Sequence, residues 1–293
     1  MNLKKINIFY FIVLLLFASV GAMAQKWNLM YGLIITEVGL VLIPSLIFLF
    51  MNNMKPAEFM RFKRMRLSLV PYVVGITVSG WFVAEFIGIL SVFCLSKFIH
   101  IPTQALPPPT NGTELALELV IVAGLAAVCE EIMMRGVILR GYEAKGEAFG
   151  IIMSGLMFAL LHLNPTNFFS IWFLGMMLAY LVYRTDSIFA GMIAHFTNNS
   201  IALVIMYMVG IMSGGSAPAE AGQVVITPDV LLAWSVIVIP FILLFVFLLR
   251  GFKRKTQDIQ VPKPDYVATG GIIDYWPVAV TAVIYIVRMV MMS

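Results

Sequence analysis

The sequence predicts an all-α fold, a polytopic membrane helix bundle of eight to nine transmembrane helices. Three observations predict it. Of 293 residues, 61% are hydrophobic and 12% are charged, against about 45–50% and about 25% in soluble domains. Mean hydropathy is +0.97. The apolar runs are continuous, near the roughly 20 residues a membrane helix needs, and lack the alternation of a transmembrane β-barrel. So few charges do not cover a soluble domain of this size, and the bilayer is the solvent. A net charge of +4 then reads as basic cytoplasmic loops, with no nucleic-acid partner. Cys94 and Cys129 lie in apolar runs and make neither a disulfide framework nor a CxxC metal pair.

Nine runs qualify as spans, roughly 6–23, 29–51, 70–95, 114–142, 149–163, 167–183, 188–209, 230–249 and 276–293. The first follows Lys4 and Lys5 and ends at Ala22-Met23-Ala24, which has the look of a secretory signal with an A-x-A site. We read it instead as a retained helix, paired with the second span through a turn around Gln25–Trp27. Residues 52–69 form a basic, Met-rich linker, in which Met60 to Leu69 suits an amphipathic helix in the membrane interface. Residues 96–113, with Pro107-Pro108-Pro109 and His100, and residues 210–229, rich in Gly, Ser, Ala and Pro, read as outer loops. Residues 250–275 read as a polar inner linker. The expected organisation is 1–28 as an N-terminal helix and turn and 29–113 as peripheral helices. Residues 114–209 are expected to form the central helical core, and 210–293 an outer loop and C-terminal helices. With the N-terminus in the cytoplasm, sixteen of the nineteen Lys and Arg fall on the inner side. Only Lys26 and Lys97 fall outside, and Arg288 lies in the last span, as the positive-inside rule expects.

Ionisable residues inside a bilayer are functional candidates. In the fourth span Arg135 follows Glu131 by four residues, so the two pair along one helix face. The adjacent Glu130 points about 100° away and is left free for the bundle interior. Phe158 and His162 share a face in the fifth span, and His195 and Asn199 in the seventh. Each alone has a plainer reading: an ion pair at a helix end, a histidine on a backbone carbonyl, or polar glue between helices. Depth sets them together. Glu130 lies about 20 Å from the inner end of its span, His162 about 20 Å, and His195 and Asn199 about 12 and 18 Å, at 1.5 Å per residue.

That set suits hydrolysis of an acyl bond, most simply a peptide. A carboxylate and a histidine activate a water, and a second histidine with an amide stabilises an oxyanion. The same Glu130, His162 and His195 also make a His₂Glu zinc set, so the cofactor is none or Zn²⁺. Two other readings stand beside this one. One is a transporter or a proton or metal relay through Glu130, His162 and His195, for which no internal repeat is seen. The other is a non-catalytic immunity or binding protein. For Glu37 and Glu85 two readings stand, lining a cavity or, the favoured one, hydrogen bonding inside the bundle.

Glu130-Glu131-x-x-x-Arg135, Phe158-x-x-x-His162 and His195-x-x-x-Asn199 together resemble the CPBP family, the CAAX-protease and bacteriocin-processing group of intramembrane endopeptidases. The resemblance is close over about residues 114–205. It implies a type II CAAX prenyl endopeptidase-like fold in which Glu130 and His162 activate water and His195 and Asn199 stabilise the oxyanion. By the same resemblance Glu131 and Arg135 support the fourth helix. It implies a peptide or membrane-protein substrate as partner and an integral membrane location. The compact loops look prokaryotic, which makes the cytoplasmic membrane the expected one. The sequence carries no signature of an oligomeric state.

Overall fold

A computed structural model describes residues 2–99, 101, 108–213, 226–262 and 270–291. His100, Pro107, Lys263 and most of the loop 210–229 lie outside the described residues. Among the described residues, nine long helices follow the nine apolar runs: α1 Leu3–Trp27, α2 Leu29–Met51, α3 Leu67–Leu95, α4 112–143, α5 Glu147–Leu161, α6 Phe168–Thr185, α7 Ile188–Met212, α8 Pro228–Lys255 and α9 Ile272–Val290.

Among the described residues, seven of these are long and apolar enough to cross a membrane. The sequence reading counted α4 and α5 as well, and each falls short for a physical reason. α5 has 15 residues, about 22 Å of helix against a hydrocarbon core of about 30 Å. α4 carries Glu114, Glu118, Glu130, Glu131, Arg135, Arg140 and Glu143, and is wrapped by protein. Every residue from Cys129 to Glu143 is buried. A helix buried all round is a central one, and α4 touches α1, α2, α5, α6 and α7. Its charges from Glu130 to Glu143 therefore face protein and not lipid. α3 lies outside this ring on α6 and α7, α8 lies on α3, and α9 packs on α1 and α5.

Local chemistry sets the helix ends and crossings. Asn28 alone separates α1 from α2, and its side chain caps α2 by accepting from the Tyr31 amide at 3.0 Å. This hairpin is so tight that a Cβ on Gly32 would meet the Gln25 backbone at 2.4 Å. α1 is tied to the core by polar contacts as well as by its buried stripe of Leu3, Ile6, Tyr10, Val13 and Leu14. The Tyr10 hydroxyl donates to the Met157 carbonyl at 2.8 Å. The Tyr142 hydroxyl donates to Asn7 Oδ1 at 2.5 Å. α5 and α6 cross at two glycines, since a Cβ on Gly175 would sit 2.8 Å from Gly155 Cα. Small residues at such crossings are how membrane helices approach closely.

The linker 52–66 departs from expectation. Only Pro56–Phe59 is helical, and Met60 to Arg66 do not form an interfacial helix. The reason is Arg61, which the amphipathic reading would leave in water and which is instead buried. Its Nε donates to Asp186 at 2.8 Å and its Nη2 pairs with Glu143 at 2.9 Å. Lys63 also pairs with Asp186, and Arg140 with Glu143. The linker is thus bolted to the C-terminal ends of α4 and α6, and the Arg61 carbonyl accepts from the first amide of α7, that of Ile188, at 3.0 Å.

Candidate active site

Helix α4 leaves regular geometry twice, in π-helical turns at Leu119–Leu125 and Ile132–Leu139. Between them lies a short α-helical piece, Ala126–Glu131, that ends in the two carboxylates. A π turn inserts one residue per turn and frees backbone groups from the regular ladder, which is why such turns gather at functional sites. The Val122 carbonyl, in the first turn, accepts from Asn199 Nδ2 of α7 at 3.0 Å. α2 has a matching π turn, Ile35–Leu42, just before Pro44, whose nitrogen has no proton to donate. This turn packs on Ala126–Glu131.

Glu131 and Arg135 are fully buried and pair as the spacing predicted, with Arg135 Nη1 2.6 Å from Glu131 Oε1. The same Glu131 oxygen also takes His195 Nδ1 at 3.0 Å. Arg135 Nη2 donates to the Gly175 carbonyl at 3.0 Å, an oxygen exposed by the close α5–α6 crossing. A glycine the sequence reading missed makes room for Glu131: a Cβ on Gly191 would lie 2.3 Å from Glu131 Oε2. Gly191 is four residues before His195, on the same face of α7, and that i, i+4 relation is the signal that would have found it.

Phe158 organises the aromatic side of the site. Its ring lies 4.6 Å from the His162 ring and 5.7 Å from the His195 ring, both edge-on. The Arg135 guanidinium sits over it at 4.7 Å. His162 is the first residue past the last helical one, Leu161, and its Nδ1 lies 2.8 Å from the Phe158 carbonyl. A carbonyl only accepts, so Nδ1 carries the proton and Nε2 of the neutral ring is left as an acceptor. His162 is exposed while Glu130, Glu131 and His195 are buried. The site therefore has an open lip and a closed floor.

Glu130 is buried with Oε2 lacking a hydrogen-bond partner. Its charge acts on Glu37 and on Arg135. Among the described residues no hydrogen bond or ion pair joins it to His162 or His195. Glu37 Oε2 is also buried and unpartnered, so the expected hydrogen bonding of Glu37 inside the bundle is not seen at that oxygen. Asn199 has one amide proton on Val122, while its Oδ1 accepts from Asn198 at 3.1 Å. Phe158, His162, Glu131, Arg135 and His195 thus form one contact group. Glu130 stands beside it, and Asn199 is held against α4.

The zinc alternative is tested by this placement. Among the described residues no three His, Cys, Asp or Glu side chains gather as a group able to hold a metal ion. His162 and His195 each have Nδ1 engaged. The residues as placed do not fit a His₂Glu zinc set.

Comparison with curated proteins and with solved structures gave no match. A family model described as type II CAAX prenyl endopeptidase Rce1-like matches residues 112–201. The match begins with α4 and ends in α7 just beyond Asn199, so it takes in all three motifs. Over this core the chain is similar to the type II CAAX prenyl endopeptidase Rce1-like family, which supports the resemblance carried by the three motifs.

Proposed function

We propose that the protein is an intramembrane endopeptidase that hydrolyses peptide bonds of membrane-associated substrates with a water activated by Glu130 and His162. The observation that carries this reading is the division of labour between two adjacent carboxylates. Glu131 Oε1 is engaged by Arg135 and His195 while its Oε2 has no partner, whereas Glu130, its Oε2 buried, makes no hydrogen bond or ion pair at either oxygen among the described residues. A buried carboxylate oxygen without a partner is unfavourable, and a reacting water supplies one. His162 offers the Nε2 acceptor for the same water from the open lip.

Glu130 takes a proton as the water oxygen bonds to the scissile carbonyl carbon. The carbonyl oxygen becomes an oxyanion, met by His195 and by the second amide proton of Asn199. The Glu131 carboxylate, 3.0 Å from His195 Nδ1, orients the imidazole for this role. Collapse breaks the C–N bond, and the proton held by Glu130 passes to the departing amine.

The test is cleavage of a quenched peptide library by purified wild type, Glu130→Ala and His162→Ala. Loss of a positioned acid–base group lowers the rate by about 10²–10⁴-fold, so both variants are expected to fall by that factor or more. Undiminished cleavage by Glu130→Ala would overturn the mechanism.

A further inference from the structure

A cavity of about 240 Å³ lies between α3 and α6, outside the contact group just described, and is lined by Glu85, Gly88, Asn167 and Ser170 with an apolar remainder. The sequence reading expected Glu85 to be hydrogen-bonded inside the bundle. Instead it is exposed toward this cavity and makes no hydrogen bond or ion pair among the described residues. Among the described residues, no basic residue lines the cavity. A carboxylate without a counter-charge halfway along a membrane helix marks a functional position.

The acceptors around it converge. Gly88 is three residues after Glu85, on the same face of α3. A Cβ there would stand 3.6 Å from Ser170 Oγ and 3.9 Å from Asn167 Oδ1. The Ser170 hydroxyl donates its proton to the Asn167 carbonyl, which leaves its lone pairs to accept. Three acceptors thus face one space, matching the three N–H donors of an ammonium group, which accepts nothing. Ala84, Ile89, Val92 and Ile226 complete the lining and suit a methylene stem. The amino end of α6 faces the same space, but a helix end carries about half a charge, so a full carboxylate keeps the cavity negative. The volume is below the roughly 300–1,000 Å³ of a whole-ligand pocket and suits a single side chain. Asn167 belongs to the loop that begins at His162, which ties this cavity to the open lip of the active site.

We propose that this cavity is a specificity subsite that takes a lysine side chain of the substrate, with Glu85 as its counter-ion. The proposal rests on the endopeptidase reading, and the experiment separates the two. The protein is reconstituted in phosphatidylcholine vesicles, which hold no competing primary amine. Paired peptides carry lysine or norleucine at each position around the scissile bond. In wild type one position is expected to favour lysine in kcat/KM by about ten- to a hundredfold, the range of a charge-assisted hydrogen bond. In Glu85→Gln the ratio at that position falls to about one, and Glu85→Lys turns the preference toward a glutamate-bearing peptide. Gly88→Leu, which fills the cavity without touching the carboxylate, also removes the preference. A second arm measures binding of the paired peptides by fluorescence anisotropy in a Glu130→Ala background, with and without Glu85→Gln. Absence of cleavage with lysine-selective binding retained would overturn the hydrolase reading alone. A lysine preference unaltered by Glu85→Gln, or no preference in either arm, would overturn the subsite.

Discussion

Arg135 is the residue on which the site's order depends. It donates to Glu131, donates to the Gly175 carbonyl and covers the Phe158 ring, so three helices meet at one guanidinium. Lysine has neither the planar fork nor the reach to do all three. Truncating one member of a buried ion pair leaves the other charged and unpaired, which costs about 3–5 kcal/mol. Arg135→Ala is therefore expected to lose that much stability, read by denaturant unfolding in detergent. The double variant Glu131→Gln, Arg135→Met removes both charges and is expected to regain most of it. Equal losses in the single and double variants would show that packing on Phe158, and not the unpaired charge, sets the cost. Here the sequence was legible, since the i, i+4 spacing of Glu131 and Arg135 predicted both the pair and the freedom of Glu130. It was silent on His195 joining the pair, because a contact between residues 64 positions apart leaves no periodic trace.

The elements carry a similar lesson. Nine apolar runs predicted nine helices within a few residues, because membrane helices must be long and continuous. The π turns were illegible. They answer to neighbours, such as the Asn199 amide on Val122, and not to local propensity. The buried path of the linker was missed for the same reason: Arg61 looks like any basic loop residue until Asp186 and Glu143 are placed beside it. Packing between elements also sets the tolerance of α7. Gly191 lets α7 approach Glu131 so closely that even a methyl group has no room. Gly191→Ala is expected to push α7 away from α4 and to part His195 from Glu131. Peptide cleavage should fall at least about tenfold, as misplacement of a catalytic group by about 1 Å does, while the helical circular dichroism of the purified protein is kept. Full activity in that variant would mean that the Glu131–His195 contact does not set the geometry of the reaction.

At the scale of the whole molecule, the charge map predicts how the bundle stands in its membrane. The end expected to face the cytoplasm is held by ion pairs between distant segments. Arg66 of the linker takes both oxygens of Asp258, beyond the end of α8, at 3.1 and 2.5 Å. The Arg66 guanidinium holds the Asp258 carboxyl below its usual range. A group with a lowered folded value contributes stability above its unfolded pKa of about 3.9, and that contribution is lost as pH falls through the folded value. Both side chains are exposed, so the effect is local and small. Protease nicking of linker 52–66 is expected to rise on acidification below about pH 4, and Asp258→Asn is expected to raise it at neutral pH and abolish the acid step. The same surface collects Arg184, Lys253, Arg254 and Lys255, whereas the α1–α2 turn at the opposite end carries only Lys26. Basic residues near span ends are retained in the cytoplasm, so the two ends should differ in access. With Cys94 replaced by Ser to remove the exposed thiol, Lys26→Cys and Lys253→Cys place one thiol at each end, both at exposed positions. A membrane-impermeant maleimide should label Lys26→Cys in intact cells and Lys253→Cys only after permeabilisation. Labelling in the reverse order would invert the bundle and place the open lip at His162 on the cytoplasmic side, so that substrate would approach from the other face of the membrane.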